Sequence, residues 1–367
     1  MKITLLKENI FPKIQDASHF ISNKPQLPIL SGIYLSCSHN QLTIRSTDMK
    51  VGYQTMIGGK IEKEGDCVVP ARFLSETLAS LKAGPVVLEL QENTLLISQG
   101  RVKAKLTIFS SQDFPPFPTI TEEFSVLDTK AFLTAIEMTN YAASLDETRP
   151  VLASILLAFE DKECTVVATD GYRLAVHPFA IPLVENKRNV LIQAKMLSDV
   201  VRIIDKEKSK DTRFLVSSEL VQAVFIAGDT TVLVRLTEGE FPPYQNIIPP
   251  SFAITVPVDR EDFIDGLKTC LVVAKESSSI VSLHIEPKAV KISGNSVNIG
   301  ENEVELDTSY SGEEKRTISV NAKFLLDAIS KITTKFIEIC VNEELKPVMV
   351  KPEGENPFVY IVMPFKR

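Results

Sequence analysis

The residues of this chain that could carry chemistry are few and scattered. Its four histidines, His19, His39, His177 and His284, lie in unrelated contexts. None has the i, i+4 or C-x-x-C partner that a zinc site requires. The five cysteines are far apart and odd in number, which predicts buried thiols in a reducing compartment. The sequence therefore predicts no metal site, no cofactor and no disulfide framework.

Two acidic turns and one histidine remain as candidates for acid-base catalysis. Asp48 and Asp170 follow threonines at matching places in the first two thirds of the chain, and Asp170 precedes Gly171. Asp-Gly is a common tight-turn pair, so we interpret both aspartates as turn residues. We interpret His177, beside Pro178, as a surface or partly packed residue. No phosphate-binding or nucleophile motif is present. An enzyme that uses Asp48, Asp170 and His177 stays open as a disfavoured alternative.

Composition and charge restrict the class of protein further. Of 367 residues, 44% are hydrophobic and 24% are charged, and the net charge is −7. An acidic molecule repels DNA at long range, so any DNA contact must come from a local basic surface. The N-terminus lacks the apolar run of a signal peptide, and no segment has the roughly 20 apolar residues of a membrane span. We expect a soluble, unexported, cytoplasmic protein.

Internal similarity is the most specific feature of the sequence. Three segments place an alanine and then a basic residue before an apolar run: residues 69–78, 192–201 and 320–329. In each segment the apolar residues recur at i, i+4 and i+7, as on the buried stripe of an amphipathic helix. The three stripes are Leu74, Leu78 and Leu81, then Leu197, Val201 and Ile204, then Leu325, Ile329 and Ile332. One helix is therefore repeated in one register.

The remaining pattern fits the same threefold division. β-branched alternating runs between the helices predict strands, and each third ends on a strand that runs into proline. We predict an α+β fold in which helices lie on one face of mostly antiparallel sheets. The predicted modules span residues 1–122, 123–250 and 251–367.

Basic residues recur on the predicted exposed side of the repeated helices. They are Arg72, Lys82, Lys195, Arg202, Lys206, Lys323, Lys331 and Lys335. Glu76, Asp199, Asp205 and Asp327 are interleaved with them, so an ordinary solvated helix face is the alternative to a nucleic-acid surface.

The joint order of several short motifs carries a resemblance to a known family. They are Leu27-Pro28-Ile29-Leu30, Val69-Pro70-Ala71-Arg72, residues 168–175, Phe241-Pro242-Pro243-Tyr244, Tyr310-Ser311-Gly312 and residues 360–364. With the three modules, the whole chain resembles the bacterial DNA polymerase III beta subunit family, the sliding clamps. The resemblance implies a non-catalytic processivity factor: a homodimeric ring whose helices surround double-stranded DNA. It also implies three kinds of partner, namely the polymerase III alpha subunit, the clamp loader and other proteins with clamp-binding motifs.

The resemblance also implies roles for single residues. The DNA-facing residues would be Lys24, Arg72, Lys195, Arg202 and Lys323. At the dimer seam, a strand near Leu106 and Ile108 would meet the region of Val272 and Val273 of a second copy. An unpaired sheet edge on a monomer can pair with other chains and aggregate. Pairing with a strand of a second copy would protect this edge.

A groove between the second and third modules would bind short peptides of partner proteins. Matched to the family, its residues are Arg149, Leu152, Thr169, Gly171, Tyr172, Arg173, Leu174, Pro242, Asn246, Ile247, Asn321, Phe324, Leu345, Val362, Met363 and Pro364. The chain departs from the family at Asn246, at Pro150-Val151 and at the ending Phe365-Lys366-Arg367, so peptide preference stays open. A peptide-binding scaffold that never surrounds DNA is a further alternative.

Overall fold

The computed structural model describes residues 1–22, 27–120, 123–217 and 220–366. Its helices are α1 (Lys7–Ser18), α2 (Ala71–Ser80), α3 (Thr129–Thr139), α4 (Ala194–Glu207), α5 (Arg260–Ala274) and α6 (Ala322–Ile329). The chain divides into two compact units. Unit 1 contains Met1–Thr129 and Lys195–Leu236, and unit 2 contains Lys130–Ala194 and Thr237–Arg367. The predicted module boundaries at residues 122 and 250 stay predictions.

The strands of unit 1 form two antiparallel sheets. Their bounds are β1 (Lys2–Leu6), β2 (Gly32–Ser38), β3 (Gln41–Thr47), β4 (Val51–Gly58), β5 (Lys60–Lys63), β6 (Gly65–Pro70), β7 (Pro85–Gln91), β8 (Thr94–Gln99), β9 (Val102–Thr107), β10 (Ser125–Asp128), β13 (Asp211–Ser217), β14 (Gln222–Ala227) and β15 (Thr230–Arg235). One sheet has the order β5-β1-β7-β8-β9, and the other has the order β10-β13-β14-β15-β4-β3-β2-β6. In the described part of the chain, β9 is thus an edge strand.

The strands of unit 2 form two more antiparallel sheets. Their bounds are β11 (Ser154–Thr169), β12 (Arg173–Gln193), β16 (Ile254–Asp259), β17 (Ile280–Glu286), β18 (Ala289–Ser296), β19 (Gly300–Asp307), β20 (Arg316–Asn321), β21 (Phe336–Val341), β22 (Val348–Pro352) and β23 (Val359–Val362). The sheet orders are β11-β12-β23-β22-β21-β16 and β19-β18-β17-β20. The pairing of β12 with β23 joins the middle of the sequence to its end.

The repeated helices bury their apolar stripes, with one exception. Eight of the nine predicted stripe residues are at most 7% exposed: Leu74, Leu78, Leu81, Leu197, Ile204, Leu325, Ile329 and Ile332. The prediction was wrong at Val201, which is half-buried, whereas Val200 and Ile203 on the same helix are buried. The apolar face of α4 is therefore rotated slightly away from the predicted stripe, because a helix can bury any residues within a broad sector.

The predicted state of the cysteines is confirmed, since all five are free and buried. The described residues contain no group of three His, Cys, Asp or Glu side chains placed to hold a metal ion. Within the same residues, no helix has the length and apolar character needed to cross a membrane. The antiparallel sheets with packed helices confirm the predicted α+β class.

Candidate functional site

A tight turn joins β11 to β12 and presents Tyr172 to solvent. The Thr169 hydroxyl donates to the carbonyl of Arg173 at 2.5 Å and accepts from the Gly171 amide at 3.1 Å. The Asp170 carboxylate accepts from the amides of Tyr172, at 2.8 Å, and Arg173, at 3.0 Å. Gly171 has φ +95°, where a Cβ would be strained. The Tyr172 ring is left 56% exposed on a fixed backbone.

The same turn occurs between β3 and β4. The Thr47 hydroxyl donates to the carbonyl of Val51 at 2.8 Å, and the Asp48 carboxylate accepts from the Lys50 and Val51 amides, both at 2.8 Å. The third turn residue is Met49 at φ +74°, where the later copy has glycine. The interpretation of Asp48 and Asp170 as turn residues is therefore confirmed, because each carboxylate is used by backbone amides.

His177 lies apart from that turn. It is half-buried on β12, with its ring 6.1 Å from that of Phe358, so it is partly packed as predicted. His177 lies four positions after Arg173 on an extended strand, which corresponds to a rise of about 13 Å. Burial lowers the pKa of His177, which favours the neutral ring. The side chain is thus far from Asp170 and poorly placed to share a proton with it.

Arg173 is an internal link and not a free cation. Its side chain is only 10% exposed. The Nε atom lies 3.0 Å from the Asp170 carboxylate, and Nη1 lies 2.5 Å from that of Asp327 on α6. The guanidinium also stands 4.5 Å from the centre of the Phe324 ring. Arg173 therefore links the turn to helix α6 through its ion pairs with Asp170 and Asp327.

The end of the chain is anchored beside the same turn. The Met363 amide donates to the carbonyl of Tyr172 at 2.9 Å, and the Phe365 amide donates to that of Ser319 at 2.8 Å. On β23, the buried Tyr360 hydroxyl donates to the carbonyl of Phe324 at 2.8 Å. These bonds bring residues near positions 172, 324 and 363 together although they are far apart in sequence.

A short 3₁₀ segment, Tyr244–Ile247, forms another wall of this region. With Phe241, it packs against a buried cluster on the β11-β12-β23 part of the sheet. The cluster consists of Leu156, Val167, Leu174, Val176, Leu191 and Ile361. An apolar floor under a polar and aromatic rim is the usual construction of a ligand site.

Next to this wall lies a cleft of about 740 Å³. Its lining includes Asn246, Ile247 and Met363, three of the predicted groove residues. The other lining residues are Ile248, Pro249, Pro250, Ser251, Ala253, Glu314, Arg316, Asn342, Glu343, Lys346 and Pro347. Arg316 is paired with Glu314 at 2.7 Å.

The predicted groove residues all belong to unit 2 but differ in exposure. The exposed ones are Arg149, Gly171, Tyr172, Pro242, Asn246 and Leu345. Those of intermediate exposure are Leu152, Arg173, Ile247, Asn321, Phe324, Met363 and Pro364. Thr169, Leu174 and Val362 are buried, at 4%, 1% and 0% exposure, and so support the floor without presenting surface. Arg149 also donates to the carbonyl of Asp170 at 2.5 Å, which holds it against the turn.

The basic residues predicted to face DNA differ in whether an acid neutralises them. Each repeated helix begins with a basic residue followed four positions later by an acid. On α2 the two pair directly, with Arg72 Nε 2.9 Å from the Glu76 carboxylate. On α6 the corresponding acid, Asp327, pairs instead with Arg173.

On α4 the corresponding acid, Asp199, pairs with Arg202 at 3.4 Å. Lys195 and Lys323 are therefore left exposed without an ion pair in the described part of the chain. Arg202 also lies 3.4 Å from Asp16 of α1, so its charge is already engaged. Lys24 lies outside the described residues.

The residues predicted at the dimer seam have unequal exposure. Leu106 lies on edge strand β9, and Ile108 follows it, both half-buried. Val272 on α5 is 65% exposed, but Val273 is only 5% exposed. Val273 is therefore buried within the single chain, and its place at the seam stays a prediction.

Three residues that organise this region were not predicted from sequence. Asp327 had been noted only as an acid among basic residues, and Tyr141 and Tyr360 were not assigned to the site. The Tyr141 and Tyr360 rings lie 5.8 Å apart, and burial raises the pKa of both phenols. Their partners are distant in sequence, so no local pattern marks them.

The repeated helices over antiparallel sheets, together with the fixed turn and chain end, define a modular α+β binding protein. Three family profiles match it in order: the DNA polymerase III beta subunit N-terminal domain at residues 1–118, the central domain at 126–243 and the C-terminal domain at 245–366. The chain therefore belongs to the DNA polymerase III beta subunit family, and the resemblance found in its sequence is confirmed.

Individual relatives match along the whole chain. A beta sliding clamp of Staphylococcus aureus strain Mu50 is 25% identical over 377 residues, covering 100% of this chain and 99% of the relative. The DNA polymerase sliding clamp structure of Bacillus subtilis matches with a TM-score of 0.95 at 24% identity, covering 100% and 99%. The beta subunit structure of Thermotoga maritima matches with a TM-score of 0.92 at 25% identity, with the same coverage. The clamp fold predicted for the chain is thereby confirmed.

Proposed function

We propose that this chain is a non-catalytic processivity clamp of the cytoplasm. Two copies close into a ring around double-stranded DNA and hold the polymerase III alpha subunit, the clamp loader and other motif-bearing proteins. The observation that carries the proposal is the match of all three domains of the family, in order and over nearly the whole chain.

The edge strands support closure with a second copy. Along β9, exposed Lys103 and Lys105 alternate with half-buried Ala104 and Leu106. Along β19, which is an edge of its own sheet, exposed acids alternate with apolar or less exposed residues. These acids are Glu301, Glu303, Glu305 and Asp307. A basic edge that meets an acidic edge suits head-to-tail strand addition, and it disfavours each edge pairing with itself.

Weak phosphate contacts suit the DNA part of this function. Exposed Lys195 and Lys323 would contact phosphates without reading sequence, while the net charge of −7 prevents tight binding elsewhere. Such contacts let the protein slide, and closure of the ring supplies retention. Lys24, Arg72 and Arg202 remain proposed contacts, with Arg72 and Arg202 weakened by their acidic partners.

The groove in unit 2 would hold the partner peptides. Tyr172 and Leu345, at 56% and 52% exposure, offer apolar surface, and Tyr172 lies beside the anchored chain end at Met363. Asn246 contributes no charge at the cleft, so the charged groups that a peptide would meet there are Glu343, Lys346 and the Glu314–Arg316 pair. An extended linear motif suits such a site.

Retention on circular DNA tests the proposal. Protein loaded on nicked circles by a clamp loader should stay bound until the circle is cut and then leave from the ends. Equal dissociation from circles and linear fragments would contradict a ring. A scaffold that never surrounds DNA predicts that charge reversal at Lys195 and Arg72 changes neither loading nor retention.

The mass of the protein in solution tests the proposed dimer seam. A Lys103→Glu/Lys105→Glu variant should shift the mass in solution from twice 40.7 kDa to the monomer value. Adding Glu301→Lys and Glu303→Lys to the same chain should restore the dimer, because both edges then change sign together. A variant that stays dimeric with only the two lysines reversed would contradict this seam.

A further inference from the structure

One buried carboxylate faces the basic side of helix α4. Asp16, on α1, has a side chain that is only 5% exposed. Its carboxylate lies 3.4 Å from Nη1 of Arg202 and is also hydrogen-bonded to Nζ of Lys206. All three residues belong to unit 1. A single acid on α1 thus engages two successive cations on α4.

Those two cations lie on the same helix face as Lys195. Residues 7 and 11 positions apart on an α-helix return to within about 20° of the starting direction. Arg202 and Lys206 therefore extend the line that Lys195 begins. The buried residues Leu197 and Ile204 lie on the opposite side of α4. Without Asp16, Lys195, Arg202 and Lys206 would form a line of three cations along one face of α4.

Among the described residues, the other charged groups at the α1–α4 contact are also paired. Lys13 of α1 pairs with Glu207 of α4. Asp199 supplies a second acid to Arg202 at 3.4 Å. His19 and Tyr53 also lie near these charges: burial and Arg202 lower the pKa of His19, and burial raises that of Tyr53. Both shifts favour the neutral side chain, and Arg202, Lys206, Asp16 and Asp199 balance in charge.

We infer that Asp16 is a positioning residue that keeps Arg202 and Lys206 paired with protein, which weakens their contact with DNA and leaves Lys195 as the main DNA contact of α4. The inference rests on the proposed clamp function. Since the carboxylate is buried, salt screens these pairs less than it screens a surface pair. The pairs of Asp16 with Arg202 and Lys206 keep phosphate binding by α4 weak, which favours sliding over tight association.

Removing the charge of Asp16 tests the inference. In Asp16→Asn both cations keep their position on α4 but lose their partner. Each freed cation should steepen the dependence of log K on log salt by about 0.9, which is about 3.5-fold more affinity lost between 50 and 200 mM salt. The measurement is anisotropy of a short labelled duplex titrated with full-length protein, and duplex binding should be tighter at low salt.

The matched control is Asp205→Asn. It removes one negative charge, this time from α4, at an acid that is paired with exposed Lys208 and not with Arg202 or Lys206. A smaller change of the salt slope in this control would show that the effect of Asp16→Asn comes from the loss of its ion pairs and not from the change in net charge. Equal salt slopes for Asp16→Asn, Asp205→Asn and the wild type would overturn the inference.

A third variant guards against a folding artefact. Adding Arg202→Gln and Lys206→Gln to Asp16→Asn should return the salt slope to the wild-type value, because the freed cations are gone. A slope that stays steep would overturn the inference, since the gain would then arise elsewhere. Failure of the proposed clamp function is a different result, because it would appear as equal dissociation of the wild type from nicked circles and linear fragments.

Discussion

Nη1 of Arg173 lies 2.5 Å from the carboxylate of Asp327, 154 positions later in the chain. One residue begins strand β12 after the exposed turn, and the other lies on helix α6. The contact therefore sets the position of Tyr172 relative to α6 and to Phe324, whose ring the guanidinium covers. Arg173 therefore links the turn to α6, and the peptide contact that the family resemblance assigns to it stays a prediction.

Substitution of Arg173 by lysine should weaken both stability and peptide binding. Lysine keeps the charge but cannot reach Asp170 and Asp327 together while covering the Phe324 ring. We expect a loss of about 2 kcal/mol in the free energy of unfolding, as for hydrogen bonds to charged groups. Urea unfolding and the affinity for a clamp-binding peptide would measure the two effects.

The control for that variant is Lys268→Ala. Lys268 pairs with Asp265 at 3.4 Å in unit 2, and both side chains are more than half exposed. An exposed pair contributes little, so the change should stay within about 0.5 kcal/mol. A loss in Arg173→Lys no larger than in this control would show that the link to Asp327 is dispensable.

The groove residues should separate into those that bind and those that support. Tyr172→Ala removes an exposed ring, so peptide affinity should fall by about 2 kcal/mol, roughly 30-fold, with stability unchanged. Leu174→Ala creates a cavity at a residue 1% exposed and should lower the free energy of unfolding by about 3 kcal/mol. Calorimetric peptide titration and thermal unfolding of both variants would distinguish the roles.

The reverse pattern would contradict this division of the groove. If Leu174→Ala folds with wild-type stability but loses the peptide, its side chain must be accessible. If Tyr172→Ala binds as the wild type does, the peptide does not contact the exposed turn.

Local pattern was enough to predict the helices and turns but not the links between them. The stripe at Leu74 and Leu78 and the turn at Asp170 depend on residues within a few positions, so sequence alone defined them. The Arg173–Asp327 and Asp16–Lys206 contacts join residues more than 150 positions apart. The difference in burial between Val272 and Val273 was also not predicted, because adjacent helical residues point in different directions and the resemblance indicates the region but not the face.

Lys195 should contribute more to DNA binding than Arg72 does. Arg72 is held by Glu76 at 2.9 Å, whereas the acid that follows Lys195 is paired with Arg202. Neutralising Lys195 with glutamine should lower the salt slope of duplex binding by about 0.9, and Arg72→Gln should lower it by less. Salt titrations of duplex anisotropy would measure both slopes.

The companion variant Glu76→Gln tests the reason for that difference. Once its partner is neutral, Arg72 should bind phosphate more freely and the salt slope should rise. Equal slopes for Lys195→Gln and Arg72→Gln, with no effect of Glu76→Gln, would show that pairing does not control these contacts.

The thiols of Cys37 and Cys67 should be unreactive in the folded protein. Burial raises the pKa of Cys37 to about 11 and that of Cys67 to about 12. The thiolate is the reactive form, and at pH 8 a thiol with a pKa of about 11 is ionised to about one part in a thousand. Iodoacetamide should label both residues far more slowly in native protein than in denaturant, as read by peptide mass. Rapid native labelling at pH 8 would contradict their burial.

The two copies of the Thr-Asp turn should respond in opposite ways to exchange of their third residue. Gly171 has φ +95° and open space around its Cβ position, so Gly171→Ala suffers only backbone strain, about 1–2 kcal/mol. Met49 already carries that strain at φ +74°. Met49→Gly relieves it but gives the unfolded chain more freedom, worth about 0.5–1 kcal/mol, so its stability should change little or rise slightly. Urea unfolding of the two variants compares them directly, and a larger loss in Met49→Gly than in Gly171→Ala would show that side-chain packing, not backbone conformation, selects the residue at this position.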